Sequence, residues 1–217
     1  LSDKKCNELC TMFGESREPA NGVIVHSDLL ADYLQEHYPG LYLVSSTTKV
    51  VTDFSELTEE LKRKEFRYVV PDFRLNKAFD KWDNLSGQQK EKNLLKVRAF
   101  QINQCFGYSY VFGCKDRKNC YEAVSRKSLG EDAEHYCSAP DAGEGYRFSK
   151  AMENPGFIGT GDITNVYLPM GFSQFKIEGR GLGSALVLEF LLYYLTRPEY
   201  RIHVRESIYL DNMLDLF

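Results

Sequence analysis

The sequence predicts an α/β protein with a mainly parallel sheet, of the partial or broken (β/α) TIM-barrel type. Short runs that are apolar on both faces alternate with helical segments, which is typical of parallel strands covered by helices. Three connections from a helix into a strand also look alike, at residues 38–41, 64–67 and 170–173. A closed barrel needs eight strands. We count five clear strands and a sixth near Phe157, and therefore expect an incomplete barrel.

The elements follow from apolar runs and from the residues that begin or end helices. Strands are predicted at residues 23–25, 41–44, 66–70, 97–102 and 175–177. Helices are predicted to begin at Ser27, Asp53, Ser86 and Ser184, because short polar side chains cap helix N-termini. The last of these helices is apolar nearly all round, so we expect it to be the most buried helix of the chain. A shorter helix is predicted at residues 162–168.

Composition places the chain among ordinary globular proteins. It has 217 residues, of which 43% are hydrophobic and 27% are charged, and a net charge of −4. The net charge gives no general attraction to nucleic acid or to anionic membranes. The longest apolar run, residues 185–195, contains Glu189 and is too short for a membrane span. We expect a cytoplasmic protein that forms one domain over residues 1–217 and is a piece of a longer chain.

Four of the six cysteines lie in one turn-rich segment, residues 105–146, which we interpret as an insertion. They are Cys105, Cys114, Cys120 and Cys137. Because no export signal is visible, reduced thiols are expected rather than disulfides. Four thiolates suit an iron–sulfur cluster or zinc, and the alternative is that they are small buried side chains. The pair Cys6 and Cys10 is interpreted as structural.

A second candidate site follows the last predicted strand. Lys176 and Glu178 share one face of that strand, and Arg180 comes directly after it. Charged side chains at the end of an apolar strand are costly to bury unpaired. Either they pair with one another or they line a site for an anionic ligand.

Other features of the sequence give weaker indications of function. The basic residues at 117, 118, 126 and 127 surround Tyr121 and are either a self-paired surface or a nucleic-acid patch. Of the four histidines, His26 follows a strand and could reach a ligand site. The motifs of serine hydrolases, zinc proteases and P-loop proteins do not occur.

The run from Tyr167 to Arg180, YLPMGFSQFKIEGR, resembles the signature of the collagenase-like peptidases of family U thirty-two. The cysteine-rich segment is similar in kind, and the resemblance covers roughly residues 20 to 200, without the first strands of the family. It implies a partial (β/α) barrel. It also implies an enzyme that uses a cysteine-ligated iron–sulfur cluster in oxygen-independent hydroxylation of RNA bases or of small aromatic compounds.

The resulting hypothesis is an enzyme domain of this kind. Cys105, Cys114, Cys120 and Cys137 would hold the cluster, and Lys176, Glu178 and Arg180 would act on an anionic small-molecule co-substrate. RNA is an alternative substrate, and a homo- or hetero-oligomer stays open. One alternative function is a peptidase, either zinc-dependent or metal-free. The other is a non-catalytic binding or scaffold domain whose cysteines are structural.

Overall fold

The computed structural model describes residues 1–15, 20–93, 95–97, 157–177 and 184–214. Its five strands are β1 (Gly22–Val25), β2 (Tyr42–Ser45), β3 (Phe66–Val69), β4 (Leu95–Val97) and β5 (Phe175–Ile177). Its helices are α1 (Lys4–Gly14), α2 (Asp28–His37), α3 (Phe54–Lys62), α4 (Phe79–Asp83), α5 (Gly87–Lys92), α6 (Thr160–Asp162), α7 (Ser184–Leu195) and α8 (Arg201–Leu214). A π-helical turn (Ile163–Tyr167) extends α6, and 3-10 turns lie at Thr47–Lys49, Phe73–Leu75 and Pro198–Tyr200.

The predicted helix starts are largely confirmed. The carboxylate of Asp53 accepts hydrogen bonds from the backbone N–H groups of Ser55 and Glu56 at the start of α3. Ser86 and Gln89 form a capping box at the start of α5. Ser27 precedes α2 as predicted, but its side chain makes no capping hydrogen bond. Helix α7 begins at Ser184, as predicted. Capping hydrogen bonds therefore mark the start of two of the four predicted helices.

The strands pair in parallel, but the predicted barrel is wrong. β1, β2 and β3 form a three-stranded parallel sheet in that order, and β4 pairs with β5 in a separate parallel pair. A parallel bridge between Val69 and Asn93 links β3 to the chain just before β4. Apolar runs that alternate with helices indicate parallel pairing, but they do not distinguish an open sheet from a closed one, and these strands are only three or four residues long.

Two predicted strands differ from the structure, and two other predicted segments fall outside the residues that it describes. Residues 157–159 form no strand, so the sixth strand near Phe157 is wrong. The strand around Ile177 pairs with β4 and not with the three-stranded sheet. The predicted strand at residues 97–102 and the insertion at residues 105–146 lie outside the described residues, apart from Val97, the last residue of β4.

An aromatic cluster joins the three-stranded sheet to the segment from residue 157 to 177. Trp82 is fully buried, and its ring makes edge-to-face contacts with Phe54 at 5.0 Å and Phe172 at 5.7 Å between centroids. The indole N–H of Trp82 donates to the carbonyl of Leu75 at 2.7 Å. The hydroxyl of the buried Tyr167 donates to the carbonyl of Asn76. These contacts fix the loop after β3 against a segment about 90 residues later.

Helix α7 is less buried than its composition predicts. Phe190 and Leu192 are buried, but Leu191 is 40% exposed and Leu195 is 75% exposed. Its Glu189 forms an ion pair with Arg205 of α8, so α8 covers the polar position. In the part of the chain that the structure describes, no helix has the length and apolar character needed to span a membrane.

Candidate functional site

Of the seven site residues predicted from the sequence, the structure describes one. Lys176 lies in the middle of β5, half-buried, in register with Lys96 of β4. Glu178 and Arg180 lie outside the described residues, and so do Cys105, Cys114, Cys120 and Cys137. The predicted cysteine site and its relation to Lys176 therefore stay predictions.

The structure describes two cysteines, Cys6 and Cys10, and their structural role stays a prediction. Cys6 and Cys10 are free thiols on α1, the first exposed and the second half-buried. A hydrogen bond with Asp3 raises the pKa of the Cys6 thiol, which makes it a weaker nucleophile at neutral pH. Within the described ranges, no group of three or more His, Cys, Asp or Glu side chains could hold a metal ion.

The carboxyl edge of the three-stranded sheet carries the strongest arrangement of polar side chains. In open parallel sheets, ligands bind outside the carboxyl ends of the strands. His26 follows β1 directly, and its Nδ1 lies 3.0 Å from the Oγ1 of Thr48, which is in the turn after β2. Thr48 in turn donates to the Oγ of Ser46 at 2.8 Å. Two neighbouring strand ends are thus joined by a chain of side-chain hydrogen bonds.

The third strand end belongs to the same edge. The hydroxyl of Thr47 donates to the carbonyl of Pro71, two residues after the end of β3, at 3.1 Å. Asp72 follows, and its side chain is fully buried, with Oδ1 accepting from the backbone N–H of Arg74 at 3.0 Å. Asp72 therefore keeps a carboxylate at the end of β3, next to the turn that carries Thr48.

Two further features of this edge are costly for the fold. Val50, which ends the turn after β2, has a φ of 56°, a left-handed conformation that β-branched residues rarely adopt. Asn93, which bridges to the last residue of β3, is fully buried, and neither its side-chain nitrogen nor its oxygen has a hydrogen-bond partner among the residues that the structure describes. Strained backbone and unsatisfied buried polar groups concentrate at binding sites, where a ligand offsets their cost.

A charge network covers the face of the sheet beside this edge. The members of this network are Asp28, Lys49, Glu60, Arg63 and Glu65. The Nζ of Lys49 lies 2.7 Å from Glu60 and 3.1 Å from Asp28, and Arg63 contacts all three carboxylates. Ser45, buried in β2, donates to Glu60 at 2.5 Å.

The network holds its carboxyl groups ionised. Hydrogen bonds from Arg63 and then Lys49 lower the pKa of Asp28 below its ordinary value. Burial opposes ionisation of Glu60, but hydrogen bonds from Lys49 and Ser45 outweigh it and lower the pKa of Glu60. Burial is likewise outweighed at Glu65, where hydrogen bonds from the backbone and from Arg63 lower the pKa. Every charge in this network has an opposite partner, which is the arrangement of a structural ion-pair cluster.

The carboxyl edge has the parts of a ligand site but not a complete nucleophilic triad. His26 and Thr48 are at hydrogen-bond distance, but the Thr48 hydroxyl donates its one proton to Ser46 and not to His26. Among the described residues, no carboxylate hydrogen-bonds to His26 either. The edge can bind a polar ligand through the imidazole and the hydroxyl groups, while the fully buried Asp72 contacts Arg74 and supports the turn after β3.

Sequence reasoning identified His26 but missed Thr48, Asp72 and Asn93. A signal was present, because Ser46, Thr47 and Thr48 come directly after an apolar strand, and Asp72 follows Pro71 at the end of the next one. The rule that strand ends face the ligand would have placed them together. Comparisons of the chain with protein-family models, with curated proteins and with solved structures found no match.

Proposed function

We propose that this chain is the substrate-binding part of a metal-dependent enzyme, with the substrate at the carboxyl edge of the parallel sheet. The observation that supports the proposal best is the meeting of three strand ends. They bring His26, Thr48 and the buried Asp72 to one edge. An exposed imidazole and a hydroxyl are groups that bind and orient a polar substrate or move its protons, and the buried Asp72 would fix the turn beside them.

The metal part of the proposal rests on the sequence. Cys105, Cys114, Cys120 and Cys137 supply four thiolate donors, a set that fits the iron of an iron–sulfur cluster, with zinc as the alternative metal. Lys176, Glu178 and Arg180 would bind an anionic co-substrate. Such thiols persist in a reducing compartment, so the proposal includes a cytoplasmic location. The reaction we propose is oxygen-independent hydroxylation of a small aromatic compound or of an RNA base.

Metal analysis tests this proposal directly. The protein is purified without oxygen, and its iron, zinc and acid-labile sulfide are measured together with its visible absorption. We expect iron and sulfide in comparable amounts, and their loss when Cys105, Cys114, Cys120 and Cys137 are changed to Ser. Cys6→Ser with Cys10→Ser is the matched control and should keep the metal. A colourless wild type without iron or zinc would contradict the proposal.

A peptidase is the second candidate, and one contact favours it. The Nδ1 of His26 lies 3.0 Å from the Oγ1 of Thr48, close enough for a base to activate this hydroxyl once its proton turns from Ser46 to His26. Cleavage of a fluorogenic peptide library by metal-free protein, abolished by Thr48→Val, would replace the first proposal with this one. We expect no cleavage, because His26 has no carboxylate partner in the described part of the chain.

A further inference from the structure

An open cleft lies at the opposite, amino end of β3. Its volume is about 790 Å³, within the usual size of small-molecule sites. The end of α3, the start of β3, helix α5 and the residue before β5 form its walls. The lining residues used below are Lys64, Arg67, Tyr68, Gln88, Lys92 and Gln174. We call this feature the amino-edge cleft.

The amino-edge cleft is strongly basic. Lys62, Lys64, Arg67 and Lys92 line it, and Glu91 is the one carboxylate among the described residues of the lining. Lys62 is paired with Glu59 at 2.6 Å on the outer surface. Among the described residues, no carboxylate forms an ion pair with Lys64, Arg67 or Lys92. Cations that outnumber the carboxylates on one concave surface produce a local positive potential that attracts anions.

Arg67 is held in place by two aromatic rings. Its guanidinium carbon lies 4.8 Å from the ring centroid of Tyr42 and 5.5 Å from that of Tyr68. The two rings meet edge to face at 6.0 Å. The ring of Tyr42 in turn lies against Gly22, where a Cβ atom would approach Tyr42 Cε2 to 2.2 Å. Stacking of this kind orders the planar guanidinium before any ligand arrives.

Lys92 contributes a cation from the floor of the amino-edge cleft. It is half-buried, and its Nζ donates to the carbonyl of Arg63. Burial lowers the pKa of Lys92, although Glu65 and Glu60 act in the opposite direction. A lysine that is partly removed from water and has no ion-pair partner gains more from an anionic ligand than a fully solvated one does.

We propose that the amino-edge cleft binds a small molecule that carries a phosphate or diphosphate group. Arg67 presents a planar pair of N–H donors, the geometry that recognises phosphoryl oxygens, and Lys64 and Lys92 add charge on the same surface. The amides of Gln88 and Gln174 are available for the uncharged part of the ligand. This site is separate from the carboxyl edge and does not depend on the proposed enzymatic function.

Calorimetric titration of the whole chain with inorganic pyrophosphate at low ionic strength tests the proposal. Loss of a charge-assisted hydrogen bond costs about 1.5–3 kcal/mol, so Arg67→Gln should weaken binding by about tenfold or more. Arg67→Lys keeps the charge but loses the planar pair of donors, so its affinity for pyrophosphate should lie between those of the wild type and Arg67→Gln. Lys64→Gln should weaken binding by several fold. The matched control is Lys4→Gln, because Lys4 is 90% exposed on α1; it should leave binding unchanged.

Each outcome of this titration decides the question. Arg67 is exposed, so its variants should keep the melting temperature of the wild type, and a change in affinity then reports on the amino-edge cleft. The proposal is wrong if the wild type does not bind pyrophosphate, or if Lys4→Gln weakens binding as much as Arg67→Gln does. Equal affinity for citrate would show a general anion site and would overturn the phosphate assignment. Variants of His26 and Thr48 should bind pyrophosphate normally.

Discussion

The basic residues around the three-stranded sheet have two opposite kinds of surroundings. In the charge network, Lys49 and Arg63 share Asp28 and Glu60, and Arg63 also contacts Glu65; the side chains of Lys49 and Glu60 are only 13% and 11% exposed. In the amino-edge cleft, Lys64, Arg67 and Lys92 have no ion-pair partner among the described residues, and aromatic rings support Arg67 instead. Both regions contact Phe66, the network through Lys49 and Arg63 at 4.7 Å from its ring.

This difference separates charges that serve the fold from charges that are available to a ligand. A partly buried cation without its carboxylate is unfavourable, so the network must be complete for the sheet to be stable. Lys64 and Arg67 of the amino-edge cleft carry no such constraint, because both side chains are exposed to water. Removing a charge should therefore affect stability in the first region and ligand affinity in the second.

The largest effect is expected at Glu60. Glu60→Gln leaves Lys49 with one exposed carboxylate, Asp28, and removes the charged acceptor of Ser45. We expect the free energy of unfolding to fall by about 2–4 kcal/mol, measured by urea denaturation. Glu59→Gln is the matched control, because Glu59 is 72% exposed and pairs only with Lys62 in the described structure. It should cost no more than about 0.5 kcal/mol. Equal losses of unfolding free energy in Glu60→Gln and Glu59→Gln would contradict a stabilising role of the charge network.

The stability of the network should also depend on pH. The folded-state pKa values of Asp28, Glu60 and Glu65 lie below their ordinary values. Their contribution is therefore present above the unfolded pKa values, near 4, and is lost as the pH falls through the folded values. Denaturation curves between pH 7 and pH 3 should show the gap between wild type and Glu60→Gln narrowing below about pH 4.5. A gap that stays constant would mean that ionised Glu60 is not the source of the stability.

A smaller effect, on the affinity for pyrophosphate, is expected from Gly22→Ala. The added methyl group would displace the ring of Tyr42, which supports Arg67, without touching any residue of the amino-edge cleft. Cation–π contacts at exposed sites contribute about 0.5–1 kcal/mol, so pyrophosphate affinity should fall by about two- to fivefold. Gly87→Ala is the control, since nothing lies within 4 Å of its Cβ position. If both substitutions leave the affinity unchanged, Tyr42 does not order Arg67.

The sequence was sufficient for the direction of the strands but not for their closure. Leu43 and Val44 of the central strand are buried on both faces, as the parallel pattern requires. Ile24 of β1 has the same apolar character and is 42% exposed, because β1 lies at an edge of the sheet. Composition does not distinguish an edge strand from a central one, and apolar runs such as β1 are therefore compatible with both an open sheet and a barrel.

The residues of the carboxyl edge and of the amino-edge cleft were likewise predictable only in part. His26 was recognisable because it follows a strand directly, whereas Thr48 and Asp72 resemble ordinary turn residues until the strand order is known. The amino-edge cleft had no sequence signal, since Lys64 and Arg67 differ from Lys49 and Arg63 only in what surrounds them. Pairing between residues 11 or 35 positions apart, as in the contacts of Lys49 with Glu60 and of Arg63 with Asp28, exists only in the folded chain.

Hydrogen–deuterium exchange with and without inorganic pyrophosphate tests most directly whether the amino-edge cleft, and not the carboxyl edge, binds phosphate. It reports on both places in one experiment and on unmodified protein. Pyrophosphate should slow exchange in peptides covering residues 62–68 and 86–92, and should leave exchange at residues 26–28, 46–53 and 71–77 unchanged. Protection confined to the loops of the carboxyl edge, or no protection anywhere, would contradict binding at the amino-edge cleft.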